Sequence, residues 1–249
     1  MKKYIYILGL ALAMSSCEDF LTRDDPQGIT DEEFWKTSGQ VESVLGQCYN
    51  LPHGFHHYTA PYVSMVHAEG LTDNSYHGAD YEGWIVSVAN GTVTAEEGKM
   101  KDLWSERYKI IRKCCRLLEN MDRAYFVDEP EREKIRGEAI ILRVYYHWEL
   151  MRWYGLVEGI PIVDHSLTPV ENFMPRSSAS EVYDWMLNEL DRAIAVADLP
   201  FKYDDSRKTK VDRSVAYALK SIIALNAKRY EIARDAAKRI IDSGEYELY

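Results

Sequence analysis

The stretch Ala139 to Tyr154, "AIILRVYYHWELMRWY", limits this chain more than any other. It is long enough for about four helical turns and apolar on nearly every side. A helix of that kind must be covered all round by other elements. Gly155 stands where such a helix can end. The rest of the chain therefore has to supply layers on either side of it.

Those layers are legible as further helices. Thr30 precedes Glu33, Thr94 precedes Glu97 and Ser178 precedes Glu181, each with the spacing of a reciprocal capping box. Asp128, with Pro130 in the following turn, marks a fourth start. Apolar stripes of helical period follow. Val41, Val44, Leu45, Cys48 and Tyr49 form one stripe. Leu103, Trp104, Ile110, Ile111, Cys114, Leu117 and Met121 mark a longer one, and Val182, Met186, Leu190 and Ala193 a third. Trp104, Trp148 and Trp185 fall in these helices, where core packing is the default.

Near the end, Asp212 caps a predicted helix to about Ala227, a short "KRY" turn follows, and a second helix runs to about Asp242 before Ser243 and Gly244. Alanines at 216, 224, 233 and 236 allow close approach. The pair resembles a tetratricopeptide unit of about 34 residues. One such unit cannot bury its apolar face alone, so the final pair is expected to expose that face unless more repeats cover it. The fold class is all-α, with tetratricopeptide-like pairs and an irregular loop region.

That loop region is Pro52 to Thr92, rich in glycine, histidine and aromatics and without sustained period. A long irregular segment in a compact domain is either functional or disordered, and its aromatic content argues against disorder. Trp84, with Tyr76, Tyr81, Asp80 and Asn90 nearby, combines aromatic planes with amide and carboxylate partners. Sugars present apolar C–H faces ringed by hydroxyls, which such a set recognises. For Trp84 a packing role stays open beside ligand contact. His53, His56 and His57 are the candidate metal ligands, but with no acidic or cysteine ligand beside them no metal site is assigned.

Several function classes fall away. The formal net charge of −10 and the lack of an arginine-rich, aromatic-interleaved stretch argue against nucleic acid. Arg112, Lys113 and Arg116 read as a solvated helix face. Neither G-x-S-x-G nor H-E-x-x-H occurs, no carboxylate pair can be placed for glycoside hydrolysis, and no catalytic residue or cofactor is assigned. Cys48, Cys114 and Cys115 lack disulfide or metal spacing and read as thiols, Cys48 and Cys114 lying on apolar stripes.

The N-terminus bears on location. Lys2 and Lys3, an apolar run from Tyr4 to Met14, and small Ser15 and Ser16 before Cys17 form a secretion signal over residues 1–16. The run is shorter than the roughly 20 apolar residues of a spanning helix. "MSSC" resembles a bacterial lipobox, which implies acylation of Cys17. Several acyl chains anchor firmly, since each buried methylene contributes about 0.8 kcal/mol. Glu18 and Asp19 resemble signals for display on the outer face of the outer membrane.

Taken with "SCEDFLTRDDPQGITDEEFW", "GLTDN", "LWSERYKIIRKCCRLLENM", "RGEAIILRVYYHWELMRWYGLVEGIPIV" and "PRSSASEVYDWMLNELDRAIAVADLP", the chain resembles the SusD/RagB family of nutrient-binding outer-membrane lipoproteins. The resemblance implies a helical scaffold with tetratricopeptide-like pairs, loops that bind a glycan or in some members a peptide, and no catalysis. It also implies a partner, a SusC-like TonB-dependent outer-membrane transporter. Cys17 matches the family's acylated cysteine, and Trp84 and Asn90 lie where members place ligand contacts. Cys115 stands where the family leads one to expect asparagine. Family members are longer, so residues 17–249 read as an N-terminal region incomplete at its C-terminus. A truncated scaffold that docks to the transporter without binding ligand is the alternative.

Overall fold

The structure is a computed structural model and describes residues 30–49, 69–76, 83–94 and 96–247. Residues 1–16, Cys17, His53, His56, His57, Asp80 and Tyr81 lie outside the described residues, as does the side chain of Trp84. The chain divides after Phe34 into two compact units. Within the first, α1 is the short helix Asp31–Phe34. Its start is the expected capping box: Glu33 N–H donates to Thr30 Oγ1 and Thr30 N–H to the Glu33 carboxylate.

The second unit starts at Trp35. It holds α2 (Ser38–Tyr49), α3 (Gly83–Ala89), α4 (Gly98–Asn120), α5 (Glu129–Leu150), α6 (Ala179–Ile194), α7 (Arg213–Asn226) and α8 (Tyr230–Asp242). Among the described residues there is no strand, only an isolated bridge between Thr37 and Tyr125. No helix of the described residues is long and apolar enough to cross a membrane.

Packing runs largely in chain order, α4 on α5, α5 on α6, α6 on α7 and α7 on α8, with α2 against both α4 and α5. As the sequence requires, α5 is enclosed, and from Ala139 to Leu150 every side chain but Tyr145 is buried. The apolar reading hides one feature. Glu138, Arg143, His147 and Glu149 are buried there too, and a buried charge is tolerated only when paired. Arg143 pairs with Glu189 of α6, and Arg107 of α4 lies 3.6 Å from Glu149.

Local differences from the sequence reading have local causes. The stripe from Val41 to Tyr49 does not continue the helix begun at Thr30. A second box opens α2, with Gln40 N–H on Thr37 Oγ1 and Thr37 N–H on Gln40 Oε1. At Thr94 the backbone closes one turn, Glu97 N–H to Thr94 O, and α4 begins only at Gly98. Asp128 occupies the N-cap of α5 without a side-chain cap bond, whereas Ser178 and Glu181 cap α6 reciprocally. Gly155 does not stop the helix directly: a π-helical turn, Met151–Gly155, follows Leu150. A Cβ there would meet Met151 Sδ at 2.5 Å and Ile160 Cγ2 at 2.9 Å, so close packing explains the glycine.

The terminal pair forms as read. The Asp212 carboxylate accepts from Ser214 and Val215 N–H, Lys228 takes φ 59° in the turn, and Gly244 at φ 68° follows α8. Ala216, Ala224, Ala233 and Ala236 are buried, while Ile222, Leu225, Ile232 and Ile241 remain exposed.

Candidate functional site

The segment Pro52 to Thr92 is not irregular throughout, because α3 forms inside it. Ile85 is its buried anchor. Its end is a Schellman motif: Thr92 N–H reaches Ser87 O, Gly91 N–H reaches Val88 O, and Gly91 has φ 70°. That turn fixes the backbone of Asn90 and leaves its side chain exposed. Trp84 lies in the first turn of the same helix. In "GLTDN", Thr72 Oγ1 donates to Glu69 O and accepts from Asn74 N–H. Tyr76 just beyond is 86% exposed. Among the described residues no hydrogen bond or ring contact joins Tyr76 to Asn90.

Immediately after α3 the chain runs into an aromatic surface that sequence reasoning assigned to the core. A groove of about 620 Å³ is lined by Val93, Thr94, Lys101, Trp104, Trp153 and Arg176, among others. Trp104 and Trp153 are half-buried, unlike Trp148 in the core. Tyr154 meets Trp104 edge-on at 5.1 Å and its hydroxyl donates to Met100 O at 2.5 Å. Burial pushes that phenol up to about 12. The Arg176 guanidinium lies 5.3 Å from the Trp104 ring centre and donates to Tyr154 O and Gly159 O, both at 2.8 Å. The available signal was the spacing of Trp153 and Tyr154 past the last fully buried turn of α5.

Side chains from α4 and α5 hold the connector that carries Arg176 to the groove. His147 Nδ1 lies 2.8 Å from Arg143 O, and Val163 N–H donates to His147 Nε2 at 3.1 Å. With Nδ1 as donor and Nε2 as acceptor the ring is neutral, and burial lowers it to about 3. Tyr108 donates to Pro161 O at 2.9 Å, and Arg143 to Asp164 O at 2.6 Å. Cys115, where asparagine was expected, directs its thiol to Val163 O at 3.6 Å. Burial raises it to about 11, so it stays a protonated donor. Cys48 and Cys114 are free and buried. Among the described residues no His, Cys, Asp or Glu group is arranged to hold a metal.

A helical scaffold carrying an aromatic groove, with Glu96, Lys101 and Arg176 among its walls, has the shape and mixed chemistry of a ligand-binding surface. The model of a SusD-like family, described as starch-binding and associating with the outer membrane, matches residues 19–225. The chain belongs to this SusD-like family, whose members are binding proteins and not enzymes. A SusD-like protein of Formosa agariphila is 24% identical over 98% of this chain and 46% of its own. A SusD-like protein from Bacteroides fragilis superposes with a TM-score of 0.74 at 27% identity, over 91% of this chain and 42% of the other. Surface glycan-binding protein A from Bacteroides fluxus gives 0.69 at 26%, over 86% and 46%. The chain thus spans under half the length of the relatives it matches.

Proposed function

We propose that this protein is a surface lipoprotein that captures a glycan and delivers it to a SusC-like TonB-dependent transporter. Residues 1–16 direct export, Cys17 is acylated, and the protein rests on the outer face of the outer membrane. Trp84, Asn90, Asp80, Tyr81 and Tyr76 supply sugar contacts. The observation that carries the reading is the aromatic groove entered directly after Asn90 and Gly91, in a chain of the SusD-like family. Its likeness, at 26% identity, to a surface glycan-binding protein supports a saccharide as ligand.

Isothermal titration of the chain from Cys17 onward against neutral oligosaccharides tests it. Trp84→Ala should weaken binding roughly tenfold or more while circular dichroism stays unchanged, as loss of a stacking plane predicts. Absence of binding to every neutral glycan would favour the scaffold that docks to the transporter without ligand. An unfolded variant would assign Trp84 to packing, and Trp153→Ala then carries the same test.

A further inference from the structure

Trp104 divides two grooves, and the second has a different chemistry. It encloses about 610 Å³ between α4 and the connector that follows α5, within the range of small-ligand sites. Trp104, Tyr108, Pro161 and Leu167 give it apolar walls, and Arg112 and Asn172 add a guanidinium and an amide. The Tyr108 hydroxyl is already spent on Pro161 O, which leaves its ring as wall.

The charges decide the ligand. Lys109 also lines this groove and is paired with Glu106 at 2.5 Å. Arg112 is exposed and, among the described residues, is paired with no carboxylate. No acidic residue is among the described residues lining the groove, and three acids of α4 and the connector are engaged elsewhere. Glu119 accepts Ser166 N–H, Glu171 accepts the Thr168 amide and hydroxyl, and Asp164 faces His165. In a chain of net charge −10 the groove therefore offers one uncommitted guanidinium beside aromatic walls. Guanidinium binds carboxylate and sulfate through paired hydrogen bonds, and apolar walls accept the C–H face of a sugar ring.

The geometry points to a second saccharide site here, selective for an anionic sugar, with the acidic group on Arg112, the ring against Trp104 and Tyr108, and hydroxyls on Asn172. The site is independent of the contacts proposed for Trp84 and Asn90. Uronates and sulfated sugars share the required chemistry.

Titration calorimetry of the 249-residue chain with trigalacturonate, a sulfated carrageenan tetrasaccharide and neutral maltotriose tests this assignment. Binding of either anionic probe, weakened roughly tenfold by Arg112→Gln, less by Arg112→Lys, and reduced by added salt, is the expected result. Asn172→Ala should weaken the same probe, and Trp84→Ala should leave it unchanged. Failure of both anionic probes to bind would overturn the proposal. So would equal loss of maltotriose and anionic binding in Arg112→Gln, or loss of anionic binding in Trp84→Ala but not Arg112→Gln. Loss of neutral binding alone would bear only on the site at α3.

Discussion

The Glu138 carboxylate, fully buried in α5, accepts a 2.6 Å hydrogen bond from the Tyr49 hydroxyl of α2, 89 residues away. Tyr203 donates to the same carboxylate at 2.8 Å and Lys210 stands 3.6 Å off. Tyr49 in turn accepts Val211 N–H. Burial, then the neighbouring carboxylate, raises both phenols well above their ordinary range, which keeps them donors. Glu138→Ala should cost about 3 kcal/mol or more, because it strands these buried groups. Glu138→Gln should cost less, and urea unfolding of the two variants measures the difference.

His147 makes stability depend on pH. The unfolded chain takes up a proton near 6.5, whereas the folded ring does so only near 3. Between those values the unfolded state holds more protons, so stability falls as pH falls. From pH 6.5 to 5 the loss should be about 2 kcal/mol. The window lies above the ordinary titration of carboxylates, and exposed His165, raised by the Asp164 carboxylate, acts in the opposite sense. His147→Gln should flatten the slope of unfolding free energy against pH, and an unchanged slope would refute the assignment.

Gly159 has φ 79°, and a Cβ there would lie 2.0 Å from Ser177 O and 2.7 Å from the Ser178 carbonyl carbon. Both obstacles are backbone and cannot swing aside. Gly159→Ala should destabilise by about 2 kcal/mol or more and should also loosen the Arg176 contact to Gly159 O. Thermal unfolding and groove-ligand affinity would both register it. Gly155→Ala meets a flexible methionine sulfur first and should be milder.

Ile222, Leu225, Ile232 and Ile241 leave apolar area exposed on α7 and α8. Exposed patches of this kind promote association. The 249-residue chain should self-associate with rising concentration in analytical ultracentrifugation, and Leu225→Lys with Ile241→Lys should shift it to monomer.

Much of the architecture was legible because its signals are local. The Ser178–Glu181 box, the Asp212 cap and the Lys228 turn depend on residues within four positions of each other. The enclosed α5 followed from its composition. What escaped were long-range pairings: nothing near Glu138 in the chain announces Tyr49 or Tyr203. The break before α2 was hidden because Gln40 does the work that glutamate does at Thr30. At the site, Trp104 has the helical spacing of a core residue yet lines two grooves, since the connector leaves that side of α4 partly open.

The π-helical turn at Met151–Gly155 has an evolutionary reading. Such a turn is geometrically one residue inserted into an α-helix. Each residue advances an α-helix by about 100°, and the wider turn takes up the extra residue within itself, so the register on either side is kept. Trp153 and Tyr154 lie inside that turn and both line the groove, which makes chain length at this point, as much as side-chain identity, a determinant of where the two rings stand.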